Sequence, residues 1–228
     1  RGYEIAAGTQ GLDGYWTQRK TASRWFLLAA LVDSAALNVD TILVGLMVTP
    51  ESAGIYFNAF RTAGLLTLFM FALNLVVAPM VARHYHAGEL RKAQAIVALG
   101  AWAGFVFSLV VFVGFFFFGE LLLSLFGGSN RDGWLILMLL SVGLLFDAAT
   151  GPSRIVMLMT GHERAFVRIF GSVQLVAMLV QLVVIPLWGP LRAAVVNMLA
   201  RIICQLAIAW WNRRHIGIDT SLLGAFRV

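Results

Sequence analysis

The longest charge-free stretch of the chain, residues 93–119, reads AQAIVALGAWAGFVFSLVVFVGFFFFG and lies between Lys92 and Glu120. Its 27 residues are more than enough for a helix that crosses a bilayer core, which needs about 20. A second uncharged stretch, residues 169–191, lies between Arg168 and Arg192 and is also long enough. Only 12% of the residues are charged, against about 25% in soluble domains. The sequence therefore predicts an integral membrane protein.

Four further spans follow when single polar residues are tolerated inside apolar helices. The six predicted spans are residues 24–48, 55–82, 93–119, 134–159, 169–191 and 193–211. Turn-forming residues separate them, and several tryptophans fall at their ends, where amphipathic rings prefer the headgroup region. The predicted fold is all-α and polytopic, with a lead-in at residues 1–23, six transmembrane helices within 24–211 and a tail at 212–228.

The distribution of Lys and Arg between the two sides predicts the orientation. Twelve of the 17 fall on the side of the two termini: Arg1, Arg19, Lys20, Arg24, Arg83, Arg91, Lys92, Arg164, Arg168, Arg213, Arg214 and Arg227. Only Arg131 and Arg192 fall on the other side. The positive-inside rule then places both termini in the cytoplasm. Because this loop bias explains the basic excess, we expect no nucleic-acid partner.

Site chemistry typical of enzymes is missing from the sequence. His162-Glu163 begins like a zinc-binding helix motif, but Phe166 stands where the second ligand is required. No glycine-rich phosphate loop follows a strand, and no serine, histidine and acid set suggests a nucleophile. The single cysteine, Cys204, excludes an internal disulfide. We therefore predict a protein that is not an enzyme and has no cofactor and no metal.

Ionisable residues inside the predicted spans are the functional candidates, because a charge in hydrocarbon is costly unless it is paired or hydrated. There are three acids and three arginines: Asp33, Asp40, Asp147, Arg61, Arg154 and Arg201. Gly151-Pro152 lies between Asp147 and Arg154 and predicts a kink or a local opening of that helix. The six charges balance, so they also fit structural ion pairs such as Asp40 with Arg61, which have similar predicted depths.

Polar residues also recur at helical spacing in the last two spans. Asn197, Arg201 and Gln205 follow each other at four-residue intervals, and Gln174 and Gln181 mark one face of the preceding helix. Polar stripes on several helices predict a shared hydrated interior.

Four segments carry a family resemblance: LNVDTILVGLMVTPESAGIYFNAFRTAGLL (37–66), NLVVAPMVARHYHAGELRKAQ (74–94), LMTGHERAFVRI (158–169) and WNRRHIGIDTSLL (211–223). They resemble the carboxyl-terminal half of polysaccharide transporters, in the superfamily that also contains multidrug and toxic-compound exporters and peptidoglycan-precursor flippases. The resemblance covers residues 20–223. It implies twelve to fourteen helices in two lobes, so we expect this chain to be a fragment that supplies the second lobe.

The resemblance implies a flippase that moves lipid-linked oligosaccharide across the bacterial cytoplasmic membrane by alternating access. Its partners would be that substrate, membrane lipid and the missing amino-terminal lobe. Arg61, Arg154, Arg201 and Asn197 are the candidates for substrate binding, since arginine offers paired donors to phosphate oxygens. Asp33, Asp40 and Asp147 are the candidates for ion coupling.

Other functions stay open at this point. A cation-coupled drug exporter of the same superfamily would use the acids for its substrate. A non-transporting membrane scaffold and the membrane domain of a glycan-assembling enzyme are further alternatives.

Overall fold

The computed structural model describes residues 41–125 and 131–227, together with residues 25, 27, 28, 30, 31 and 34. Helical residues 41–47 precede six α-helices and a final 3₁₀ helix. These are α1 (Pro50–Ala63), α2 (Leu65–His86), α3 (Leu90–Ser124), α4 (Arg131–Ala149), α5 (Ser153–Met159), α6 (Glu163–His215) and the 3₁₀ helix Leu222–Arg227. The predicted site residues Asp33 and Asp40, and with them the proposed Asp40–Arg61 pair, lie outside the described residues.

The all-α polytopic fold is confirmed, whereas the count of six spans stays a prediction. Within the described part of the chain, α2, α3 and α6 are each long and apolar enough to cross a membrane. A fourth span results if α4 and α5, which meet at a bend of 48°, are taken together. The kink predicted at Gly151-Pro152 is thus confirmed, and it falls inside the predicted span 134–159.

The longest helix, α6, contains 53 residues and is interrupted at Gly189, where φ is 77° and ψ is −175°. These dihedrals are accessible to glycine and not to residues with a Cβ atom. Pro190 follows directly and has no backbone N–H for a continuous helical ladder. The predicted spans 169–191 and 193–211 therefore correspond to the two parts of α6, with the break at Gly189.

The start of α1 follows from local chemistry. Thr49 is the N-cap, and its Oγ1 accepts a hydrogen bond of 3.2 Å from the backbone N–H of Ser52. Pro50 then takes the first helical position, where a missing N–H costs nothing. Glu51 adds a negative charge in the first turn, which the helix dipole favours.

Small residues bring α2 and α3 close together. A Cβ atom added at Gly104 would overlap Met70 Sδ, and one at Gly100 would lie 3.1 Å from a Leu73 methyl. One turn further along α3, the buried Ser108 hydroxyl donates to Leu66 O at 3.2 Å. Residues 100, 104 and 108 form the small-residue stripe that membrane helices use for close packing.

Large apolar side chains cover the outer surface of α2, α3 and α6. Leu68, Phe71, Leu75, Leu99, Val110, Phe117 and Leu187 are each more than half exposed. Exposed apolar surface of this extent is suited to lipid and not to water.

Candidate functional site

The contact between α4 and the second part of α6 contains the polar groups that the structure brings together. Gly143 of α4 is buried at this contact. A Cβ atom added there would lie 3.3 Å from Arg201 Cδ and 3.3 Å from Met198 Cα. The missing side chain thus lets α6 approach α4 closely and lets the apolar stem of Arg201 lie against the α4 backbone.

A hydrogen bond within α6 orients the arginine. Arg201 Nε donates to Asn197 Oδ1 at 3.0 Å, across one helical turn. Asn197 is buried, whereas Arg201 is half-buried. Because a guanidinium group is planar, fixing Nε also fixes the plane of the two terminal nitrogens, which carry four further N–H donors. The arginine is held in one orientation by its neighbour.

Asp147 lies near the same contact, one turn after Gly143 on α4. Arg201 meets α4 at Gly143, and the buried Cys204 follows Arg201 by less than one turn of α6. An acid of α4 and an arginine of α6 therefore lie in one region of the bundle interior. Asp147 also precedes the Gly151-Pro152 break by one helical turn.

Gln205 adds an acceptor to this region, one turn after Arg201. Its Oε1 atom is buried and has no hydrogen-bond partner among the described residues. A buried acceptor without a donor is costly, and such atoms are a reason to look for a bound group. We refer to Asp147, Asn197, Arg201 and Gln205 as the α4–α6 polar cluster.

The other two predicted arginines lie elsewhere on the surface. Arg61 is on the exposed face of α1, with its Cζ atom 5.0 Å from the centroid of the Phe57 ring. Arg154 is exposed in the first turn of α5, beyond the break that follows Asp147. Of the substrate-binding set predicted from the sequence, the structure thus joins Arg201 and Asn197.

Sequence reasoning did not single out Gly143, which sets the closeness of the α4–α6 contact. A glycine one turn before an intramembrane acid was the available signal. That signal is weak, since the chain contains 22 glycines and the sequence does not show which of them face a neighbouring helix.

The basic loop between α2 and α3 carries a separate ionic cluster. Glu89 accepts from Lys92 Nζ at 2.9 Å, and its other oxygen lies 2.6 Å from His84 Nδ1. These two hydrogen bonds hold the pKa of the Glu89 carboxyl below its ordinary value, with Lys92 as the larger cause. The cluster fixes the loop that joins the two helices.

Several apolar helices, with polar side chains at the contact between two of them, define this chain as a multi-spanning membrane protein. The family model MatE matches residues 27–186, which is more than half of the chain. The chain therefore belongs to the MatE family, in the superfamily of multidrug and polysaccharide or lipid-linked oligosaccharide transporters. Asp147 lies inside the matched region, and Asn197 and Arg201 lie beyond it. No curated protein and no solved structure matches the chain significantly.

Proposed function

We propose that this chain forms the carboxyl-terminal lobe of a flippase for lipid-linked oligosaccharide in the bacterial cytoplasmic membrane. The family supports membrane transport in general, and drug export fits it equally well. The observation that carries the finer proposal is the orientation of Arg201 by Asn197 within the α4–α6 polar cluster. Both termini would face the cytoplasm, in keeping with the basic residues on their side.

An oriented arginine suits a phosphate-linked substrate. Its terminal nitrogens present parallel donors that match two phosphate oxygens, and such bonds are stronger in a site of low dielectric constant. The exposed Arg61 and Arg154 would add positive charge where the lobe borders the cavity shared with the other lobe. The lipid tail of the substrate would stay in the bilayer while the head group crosses.

Ion coupling is assigned to the acids. A proton or cation taken up by Asp147 would neutralise the carboxylate of α4, which would leave the positive charge of Arg201 less compensated and favour an anionic ligand. Asp33 and Asp40 keep the coupling role that the family resemblance implies.

The test is substitution of Arg201 in the complete gene. Arg201→Gln and Asp147→Asn should reduce surface polysaccharide at least tenfold without changing the amount of protein in the membrane. Arg201→Lys should restore only part of the activity, since an ammonium is a point charge without the planar fork. Arg192→Gln, at an exposed arginine of the same helix, is the matched control and should leave surface polysaccharide unchanged.

Drug export is the alternative that one observation favours. The carboxylate of Asp147 and the buried acceptor of Gln205 would suit a cationic substrate better than an anionic one. Increased drug susceptibility of Asp147→Asn with normal surface polysaccharide would support export and defeat the flippase proposal. A scaffold or a glycan-assembling enzyme is disfavoured, because members of this family are transporters.

A further inference from the structure

The chain turns back into the bundle after α6. Gly217, with φ at 79°, reverses its direction, and its N–H donates to Asn212 O at 3.1 Å. Ile218 and Thr220 beyond the turn are fully buried. A tail that only followed the last helix into solvent would not bury these side chains. Residues 216–224 are called the C-terminal latch below.

Gln94 of α3 holds the middle of the latch. Its Oε1 accepts from the backbone N–H of Asp219 at 2.7 Å, and its Nε2 donates to Asp219 O at 2.7 Å. The same Nε2 also lies 3.2 Å from Gly224 O. A buried carboxamide thus pairs with the backbone of the latch as a neighbouring strand would, which fixes the position of Asp219 relative to α3.

The next residue of the latch contacts the break between α4 and α5. Thr220 Oγ1 lies 2.6 Å from Ser153 Oγ, at the first residue of α5. A Cβ atom added at Gly151 would lie 2.6 Å from Thr220 O. Asn212, at the end of α6, donates to Ser153 O at 2.9 Å. The latch and the end of α6 therefore connect α3 to the bend itself.

We propose that the C-terminal latch holds the α4–α5 span in its bent form and must detach from Ser153 during each transport cycle. Gln94, Ser153 and Thr220 are then positioning residues for transport, acting through the bend and not by touching substrate. The proposal rests on the proposed flippase function and on transport by alternating access, which the family resemblance implies.

The Ser153–Thr220 contact matters for transport because of where the bend lies. Asp147 lies one turn before the break, so a change of bend angle moves α5 relative to the α4–α6 polar cluster. Ser153 would move with α5, whereas Gln94 keeps Asp219 and its neighbour Thr220 against α3. The Ser153–Thr220 contact cannot persist through such a movement. Hydroxyl and amide hydrogen bonds of this kind are individually weak enough to break and re-form.

The test locks the latch covalently. Ser153→Cys and Thr220→Cys are combined in a Cys204→Ala background, and any cysteine that the complete gene encodes outside these 228 residues is replaced by alanine as well. Copper phenanthroline forms the disulfide in cells that express the complete gene, and surface polysaccharide is measured. We expect at least a tenfold loss on oxidation, full recovery with dithiothreitol, and no effect of oxidant on either single-cysteine variant. Normal polysaccharide display with the disulfide formed, in a transporter whose polysaccharide export is lost in Arg201→Gln, would overturn the proposal.

A second measurement does not depend on the substrate. Amide hydrogen exchange of residues 150–160 is followed in the purified protein, where oxidation should slow exchange at least tenfold and Thr220→Val should accelerate it. Equal exchange rates of these amides in the oxidised and the reduced protein would contradict the proposed role of the latch. If polysaccharide is normal in Arg201→Gln as well as in the locked protein, the substrate assignment fails, and the exchange result alone decides about the latch.

Discussion

One glycine on each side of α5 allows the effect of packing at the bend to be measured separately from that of backbone strain. Gly151 and Gly161 both have positive φ, at 63° and 80°. An alanine at either position pays roughly 1–2 kcal/mol for the left-handed conformation. The surroundings differ, since nothing lies within 4 Å of a Cβ at Gly161, whereas one at Gly151 meets Thr220 O and Ala101 Cβ, both at 2.6 Å.

The contacts at Gly151 should therefore add to the strain. Neither contacting atom is the end of a flexible side chain, so the backbone must shift, and overpacking of this kind costs about 1–3 kcal/mol more. We expect Gly151→Ala to be destabilised by roughly 2–5 kcal/mol in total and Gly161→Ala by the strain alone. For a chain of this size each kcal/mol lowers Tm by about 2–4 °C.

The assay is thermal unfolding of the purified protein in one detergent, with both variants measured beside the parent. Gly151→Ala should unfold at a Tm roughly 2–12 °C below that of Gly161→Ala, from the contact cost alone. Equal Tm values would refute the reasoning, because they would mean that Thr220 O and Ala101 do not pack closely against the break at Gly151. A Gly151→Ala variant that is more stable than Gly161→Ala would refute it more strongly.

Three further predictions concern other contacts. Gly143→Ala should displace Arg201, reducing transport at unchanged abundance in a surface-polysaccharide assay, whereas Gly114→Ala, with nothing within 4 Å, should not. Gly104→Ala should cost no more than about 1–3 kcal/mol by thermal unfolding, because the overlapping Met70 Sδ belongs to a flexible side chain, and its cost should be smaller in a Met70→Ala background than in the parent. The pKa of Glu89 is lower in the folded protein than in the unfolded chain. The ionised Glu89 therefore adds its full contribution to the free energy of unfolding above the ordinary carboxyl pKa, and this contribution is lost as the pH falls through the pKa of the folded protein. Tm between pH 7 and pH 3 should therefore fall less in Glu89→Gln than in the parent, and an equal fall would contradict this.

The span at residues 93–119 and the bend were predictable because each leaves a local signal. Residues 93–119 lie wholly within α3, since the absence of charge reports the solvent around a helix directly. Gly151-Pro152 marked the bend because proline removes a backbone donor wherever it stands. The limits of α3, Leu90 and Ser124, were less visible, because a helix continues into the headgroup region where polar residues are tolerated.

The α4–α6 polar cluster was only partly predictable. The four-residue spacing put Asn197 beside Arg201, and that hydrogen bond is a property of one helix. The position of Arg61 on the exposed face of α1 was not readable, because it depends on which side of the helix the neighbours cover. The latch left even less signal. Gln94 pairs with backbone atoms of Asp219, and backbone atoms are the same in every residue.

The cost of charge in hydrocarbon connects the polar cluster with the bend. Translocon insertion scales assign about 2.5–3.5 kcal/mol to an Asp or an Arg at the centre of a spanning helix, so Asp147 and Arg201 each favour a partner of opposite charge or a hydrated surrounding. The break lies after Asp147, so a change of the bend angle moves α5 past this cluster while Asp147 stays on α4 and Arg201 on α6. An anionic head group would serve Arg201, and a proton or cation would serve Asp147. Under the two proposals above, binding of ligand and ion at the cluster would be coupled to the movement of α5 that detaches Thr220 from Ser153.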